Sequence, residues 1–166
     1  DNGDQEYGVS QSQTLNQNLR IDLSQKDWYV YTDNYGTSEE KYLVKYIDKA
    51  YDQLKKKYSE IYLVRNERHF QLYNFDDGKP VEPDFVLFLK KKDGDETLHY
   101  QVFIEPKGEH LLEHDAWKET FLRSLKKQHK VNILWKSKKY VIWGMPFYNK
   151  AIRKTEFENA FREIID

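Results

Sequence analysis

Two apolar runs around an Asp-Gly pair constrain the fold of this chain more than anything else in it. They are Phe85-Val86-Leu87-Phe88-Leu89 and Tyr100-Gln101-Val102-Phe103-Ile104, with Asp93-Gly94 between them. Such a pattern predicts a β-hairpin, because the glycine can take the backbone conformation that a tight two-residue turn demands. With the turn centred near Asp93-Gly94, Asp84 falls opposite residue 103, with a few residues of slack for a longer loop. Asp84, Glu105 and Lys107 then finish at the same end of two neighbouring strands. Glu105 and Lys107 are two apart, so on a strand their side chains leave the same face. The apolar runs hardly alternate with polar residues, which predicts central strands covered on both faces.

The hairpin sits among helices and shorter strands. Thr37 or Ser38 caps a helix with Glu39, Glu40 and Lys41 in its first turns, and Tyr42, Leu43, Tyr46, Ile47, Ala50, Tyr51 and Leu54 repeat at helical spacing to about Lys57 or Tyr58. Ile61 to Val64 reads as a strand, His69 to Phe75 as a second, and Trp28 to Tyr31 as a short one. His114 to about Gln128 is predicted helical, with Trp117, Phe121, Leu122 and Leu125 on one stripe. Tyr140 to Trp143 is a further strand stopped by Gly144, and Glu156 to Ile165 a closing helix. This order predicts an α/β domain over residues 27–166 with a mixed central sheet flanked by helices. Residues 1–26, rich in Gln, Asn and Ser, read as a linker or N-terminal arm.

At 166 residues the chain can bury one real core. It is 33% charged but 16% aromatic, too aromatic to be disordered throughout. No apolar run nears the roughly 18 residues of a membrane span. The start, Asp1-Asn2-Gly3-Asp4, has neither a signal-peptide pattern nor an initiator Met, so a processed chain or a fragment is expected. The absence of cysteine excludes disulfides and thiolate metal sites, and it fits a reducing cytoplasm. The net charge of −1 is not that of a strongly basic nucleic-acid binder. Lysines are nevertheless clustered at 55–57, 90–92, 126–127 with 130, and 136 with 138–139. Any one cluster is an ordinary solvated helix end or turn; around a carboxylate site they would form a track for a phosphate backbone.

Two carboxylates and an amine at the mouth of a buried sheet are the parts of a metal-dependent hydrolytic site, and phosphodiester hydrolysis is the chemistry they would suit. A Mg²⁺ held by Asp84 and Glu105 would neutralise phosphate charge and activate water, and Lys107 would orient or deprotonate that water or stabilise the transition state. Pro106 has no N–H and marks a strand end, while its carbonyl remains available to a metal. The bland alternative is a surface hairpin with a salt bridge from Glu105 or Asp84 to Lys107. A second chemistry is suggested by His110-Leu111-Leu112-Glu113-His114, an H-x-x-E-H pattern that on a helix would set two histidines at zinc-binding spacing. It needs a third ligand from a downstream helix, for which Glu156 and Glu158 are unsupported candidates. A third reading is a non-catalytic module that binds DNA or packs on a motor.

The segments Val81-Glu82-Pro83-Asp84-Phe85, Phe103-Ile104-Glu105-Pro106-Lys107-Gly108 and Asp115-Ala116-Trp117-Lys118-Glu119-Thr120-Phe121-Leu122 resemble the PD-(D/E)xK nuclease superfamily. The similarity is greatest to the C-terminal endonuclease domain of type III restriction enzyme Res subunits, and it covers roughly residues 38–150. The resemblance implies a restriction-endonuclease-like core of αβββαβ order. It implies Mg²⁺ (or Mn²⁺ in its place) on Asp84, Glu105 and the Pro106 carbonyl, with Lys107 assisting the water. Glu40 is the expected further metal ligand from the first helix, against a plain helix-dipole role for that charge. Lys118, Lys126 and Lys127 are the candidate DNA contacts, Lys118 being otherwise an ordinary exposed helix lysine. The same caution covers Asn66 and Asn149. Implied partners are double-stranded DNA, a helicase motor of the same polypeptide and a methyltransferase subunit. The chain itself has no GxxxxGK[ST] loop.

Overall fold

The computed structural model describes residues 26–29, 37–66, 71–73, 77–128 and 138–166. In chain order they form α1 (Ser38–Lys57), β1 (Glu60–Arg65), β2 (Leu72–Tyr73), β3 (Pro80–Val81), β4 (Phe85–Asp93), β5 (Glu96–Ile104), α2 (Ala116–Gln128), β6 (Lys138–Gly144) and α3 (Lys154–Ile165). The central sheet runs β1-β4-β5-β6. β4 is antiparallel to both β1 and β5, whereas β5 and β6 are parallel. The domain is therefore mixed α/β, with helices flanking a mixed sheet.

The β4–β5 hairpin forms as its sequence requires, with a shifted turn. Asp93 pairs with Glu96, so the central turn residues are Gly94 and Asp95, and Gly94 carries the positive φ of 64°. The register becomes Phe85 opposite Ile104, and one further step sets Asp84 across from Glu105 rather than from residue 103. A two-residue slip keeps every side chain on its expected face, because the pleat repeats every two residues.

Both faces of the hairpin are covered, as the unbroken apolar runs demand. Phe85, Leu87, Leu89, Val102 and Ile104 pack with Leu43, Ile47 and Leu54 of α1 and Phe157, Phe161 and Ile164 of α3. Val86 and Phe103 point the other way, against Phe121, Leu122 and Leu125 of α2. Each such fully buried side chain contributes about 1.5–3 kcal/mol relative to exposure. Trp28 and Tyr29 belong to the first core, and Tyr29 bridges Leu63 of β1. The expectations for residues 1–25, 30–31 and most of 69–75 lie outside the described residues.

α1 starts at a capping box. The Thr37 hydroxyl accepts from the Glu40 amide, and the Glu40 carboxylate accepts from the Thr37 amide at 2.6 Å. Its far end is tied to α3 by the Tyr58 hydroxyl, which donates to the Ile164 carbonyl at 2.7 Å. α2 lies against β6 at Gly144, where a Cβ would fall 1.8 Å from the Leu122 carbonyl oxygen. Only glycine permits that approach.

Candidate active site at the open end of the hairpin

The strands stop where the charged residues begin. β5 ends at Ile104, and the chain continues extended through Pro106, which bridges Tyr148. That bridge uses the Glu105 carbonyl, which accepts from the Tyr148 amide at 3.0 Å, and the Lys107 amide, which donates to the Tyr148 carbonyl at 2.9 Å. Glu105, Pro106 and Lys107 are thus held extended past the sheet, and Glu105 and Lys107 share a face. Glu105 is buried at 5% exposure, and its Oε1 lies 3.8 Å from Lys107 Nζ.

Two asparagines fix the backbone on either side. Asn66 donates from its side chain to the Pro83 carbonyl at 2.9 Å and from its amide to the Asp84 carbonyl at 2.7 Å. Asn149, only 2% exposed, donates to the Lys107 carbonyl at 3.0 Å, and its own oxygen accepts from the amides of Ala151 and Ile152. Both asparagines therefore do more than decorate strand ends: each clamps the peptide beside one of the candidate catalytic residues.

Lys107 has a partner that the sequence reading did not assign. Asp115, immediately before α2 and 7% exposed, binds Lys107 Nζ at 2.8 Å. It also meets His114 Nδ1 at 3.0 Å and Lys118 Nζ at 3.7 Å. In a helix read from His114, Asp115 is only an acidic residue of the first turn, favoured there by the helix dipole, so its sequence position hides this role. Lys118 is not an ordinary exposed lysine: its ammonium lies near Asp115 and over the Trp117 ring, and it acts electrostatically on Glu105. The side chains of Lys126 and Lys127 lie outside the described residues.

Glu40 is engaged. It closes the α1 capping box, and its Oε1 accepts from Arg65 Nη1 at 2.9 Å. Arg65 also stacks over Phe85, 4.9 Å from the ring centroid. The charges around the hairpin mouth thus comprise four carboxylates (Glu40, Asp84, Glu105 and Asp115) against three cations (Arg65, Lys107 and Lys118).

That imbalance shows in the acidities. Burial, then the charges of Glu105 and Glu40, push the Asp84 carboxyl up to about 7, against the pull of Lys107 and Arg65. Burial likewise raises Glu105, although Lys107 and Lys118 oppose it. Burial alone would lower Lys107, but Glu105 and Asp115 outweigh it and keep the amine a firmly held ammonium. Burial would raise Asp115, and the hydrogen bonds from Lys107 and His114 override it, leaving that carboxyl below its ordinary value. Glu105 Oε2 is buried without a hydrogen-bond partner. An orphaned Glu105 oxygen, with the hard-to-ionise Asp84 carboxyl across the strand pair, fits a hard cation, which would satisfy both. No group of three His, Asp or Glu side chains among the described residues makes a ready-formed metal cluster. A cation here would rest on Asp84, Glu105, backbone carbonyl and water.

The H-x-x-E-H segment does not form the helix its zinc reading needs. His110 lies in a 3₁₀ turn, Glu109–Leu111, while His114 lies in the following turn and pairs with Asp115; α2 begins only at Ala116. The i, i+4 face on which two histidines would share a metal is therefore missing.

A protein of Haemophilus influenzae, described as uncharacterized, is 44% identical over 133 residues, covering 75% of this chain. The chain spans 29% of that relative's length. No solved structure matches the chain significantly. The family profile HI_1054_C, described as a C-terminal domain, matches residues 11–164, and the chain belongs to that family.

Proposed function

We propose that this chain is the cleavage domain of a Mg²⁺-dependent endodeoxyribonuclease with a restriction-endonuclease-like core, of the PD-(D/E)xK superfamily and most like the nuclease domain of type III restriction enzyme Res subunits. The observation that carries the reading is that Asp84 and Glu105 stand across from each other at the hairpin mouth, burial raising the pKa of both, with Lys107 beside Glu105. The order α1, β1, β4, β5, α2, β6 supports the core assignment, with β2 and β3 as a small insertion. A chain spanning 29% of its relative fits a domain of a larger protein. In this reading a helicase motor in the same polypeptide and a methyltransferase subunit supply translocation and site choice, and the enzyme acts in the cytoplasm on double-stranded DNA.

Asp84, Glu105 and the Pro106 carbonyl would hold Mg²⁺, and Glu40 would contribute only by giving up Arg65. When bound, the metal supplies Lewis acidity and a more acidic water. The side chains do the rest. Ionised Asp84 and Glu105 accept hydrogen bonds from the attacking water and aim its lone pair at phosphorus. The water oxygen bonds to phosphorus and gives one proton to the Asp84 carboxylate as the bond to one sugar oxygen breaks; that sugar oxygen takes its proton from solvent, and Asp84 later returns its own to solvent. Lys107, paired with Asp115, is poised to donate to the phosphoryl oxygen on which charge builds rather than to remove a proton. Lys118, at the rim, meets an adjacent phosphate.

The test is cleavage of plasmid DNA with Mg²⁺ or Mn²⁺ by this chain and by Lys107→Ala. Nicking by the parent that is lost in the variant and in chelator supports the site. Equal nicking by both rejects it. Tight metal-independent DNA binding without cleavage would favour the non-catalytic module.

A further inference from the structure

A second concave site lies between α1 and α3, on the sheet face away from α2. Its cavity of about 530 Å³ falls within the roughly 300–1,000 Å³ typical of small-molecule sites. Tyr42, Lys45, Tyr46 and Lys49 enter it from a single stripe of α1, at the i, i+3, i+4, i+7 spacing of one helical face. Lys150 and Lys154 face them from the α3 side. The lining therefore carries four lysines and one carboxylate, Glu158, in a chain whose net charge is −1.

The wall behind the lysines is apolar and rigid. Ala50, Tyr148 and Phe157 are buried there. The Tyr46 ring meets Phe157 edge-on at 5.3 Å and Tyr148 at 5.9 Å, so it is braced in place. Lys150 Nζ sits 4.0 Å from the centroid of the Tyr42 ring and steadies that ring at the rim. Burial, then the charge of Glu158, push the Tyr46 hydroxyl up to about 12, so it remains a neutral donor.

We propose that the α1–α3 cleft binds a nucleotide, its phosphate on the lysines and its base against the tyrosine rings. An inorganic anion would use the ammonium groups and leave the aromatic wall wet. An uncharged apolar ligand would cover the wall and make no use of the excess of lysines over Glu158 in the lining. A nucleotide satisfies both, and Glu158 can accept from an exocyclic amino group of the base. The same chemistry is offered by a free mononucleotide and by the terminal nucleotide of a single strand. The cleft shares no side chain with Asp84, Glu105 and Lys107, so the proposal stands apart from the cleavage reading.

The test is equilibrium dialysis of the whole chain, without divalent metal, against dAMP, a short 5′-phosphorylated single strand and inorganic phosphate. We expect saturable binding of dAMP that falls by about tenfold or more in the double variant Lys49→Glu, Lys154→Glu and weakens with salt. Both lysines are exposed, so an unchanged melting temperature shows the fold intact. Tyr42→Ala, which removes a ring but no charge, also weakens dAMP while leaving phosphate unaffected. Glu105→Gln binds as the parent does, even if cleavage is never observed. Binding of the strand about tenfold tighter than dAMP assigns the cleft to strand ends, and equal binding assigns it to free nucleotides. Three results overturn the proposal: no binding of either nucleotide probe at roughly millimolar concentration, phosphate bound as tightly as dAMP, or affinity unchanged by the double charge reversal.

Discussion

The two ends of the β4–β5 hairpin use the same residue types to opposite effect. At the turn, Lys92, Asp93 and Asp95 are exposed, and Lys90 meets Glu60 at 3.5 Å with both side chains well solvated. At the open end, Glu105, Lys107 and Asp115 interact at similar distances but are nearly sealed from water. A surface ion pair is worth little because water already solvates both charges. A buried one bears a desolvation penalty that folding alone gives no reason to accept. The contrast therefore supports the open end as the proposed active site, and substitutions at the two ends should behave as different classes.

The largest separation is expected in catalysis. Glu105→Gln or Lys107→Ala should lower metal-dependent plasmid cleavage by roughly a hundredfold or more, the scale of losing one charge-stabilising group, while Lys92→Ala leaves it unchanged. A comparable loss in Lys92→Ala would erase the distinction between the ends. Asp115→Asn should come next, with a decrease of about tenfold, because Lys107 keeps Glu105 but loses its closest anchor. Single-turnover rates at saturating DNA would show the drop in the chemical step; a change confined to DNA affinity would make Asp115 a binding residue instead.

Stability should differ between the ends as well. Asp84 titrates near 7 when folded but in the ordinary carboxylate range when unfolded. Between those values the folded protein holds a proton that the unfolded chain does not, so stability falls as pH rises from about 4 to about 7 and then levels off. Metal-free Asp84→Asn should therefore melt a few degrees above the parent at pH 8, and the gap should narrow below pH 7 and close near pH 4. Mg²⁺ should raise the melting temperature of the parent at pH 8 but not that of Glu105→Gln, since a ligand stabilises only the state that binds it. Smallest of all, Lys92→Ala should alter stability by no more than about 0.5 kcal/mol in denaturant melts.

The apolar runs and Gly94 made the hairpin legible, and helical spacing from Tyr42 to Leu54 did the same for α1. The register was legible only to within two residues, because Asp93-Gly94 and Gly94-Asp95 are equally good turn centres on paper. Asp84, Glu105 and Lys107 could be chosen because they flank apolar strands. Asp115 could not, since an acidic residue in the first turn of a helix read from His114 has an adequate local explanation. Asn66 and Asn149 were visible only as polar residues near strand ends, because their partners are backbone carbonyls 17 and 42 residues away. The α1–α3 cleft was illegible for the same reason: Lys49 and Lys154 become neighbours only once the chain has folded around the sheet.

Gly144 carries a warning for genetics. With the Leu122 carbonyl already where a side chain would go, Gly144→Ala must push α2 off β6. The start of that helix carries Asp115, which holds Lys107. If the proposed cleavage holds, a selection for inactive clones should thus recover Gly144 beside Glu105 and Lys107, although it carries no reactive group. Residual folded protein in such a clone would tell a displaced lever from a missing reactive group.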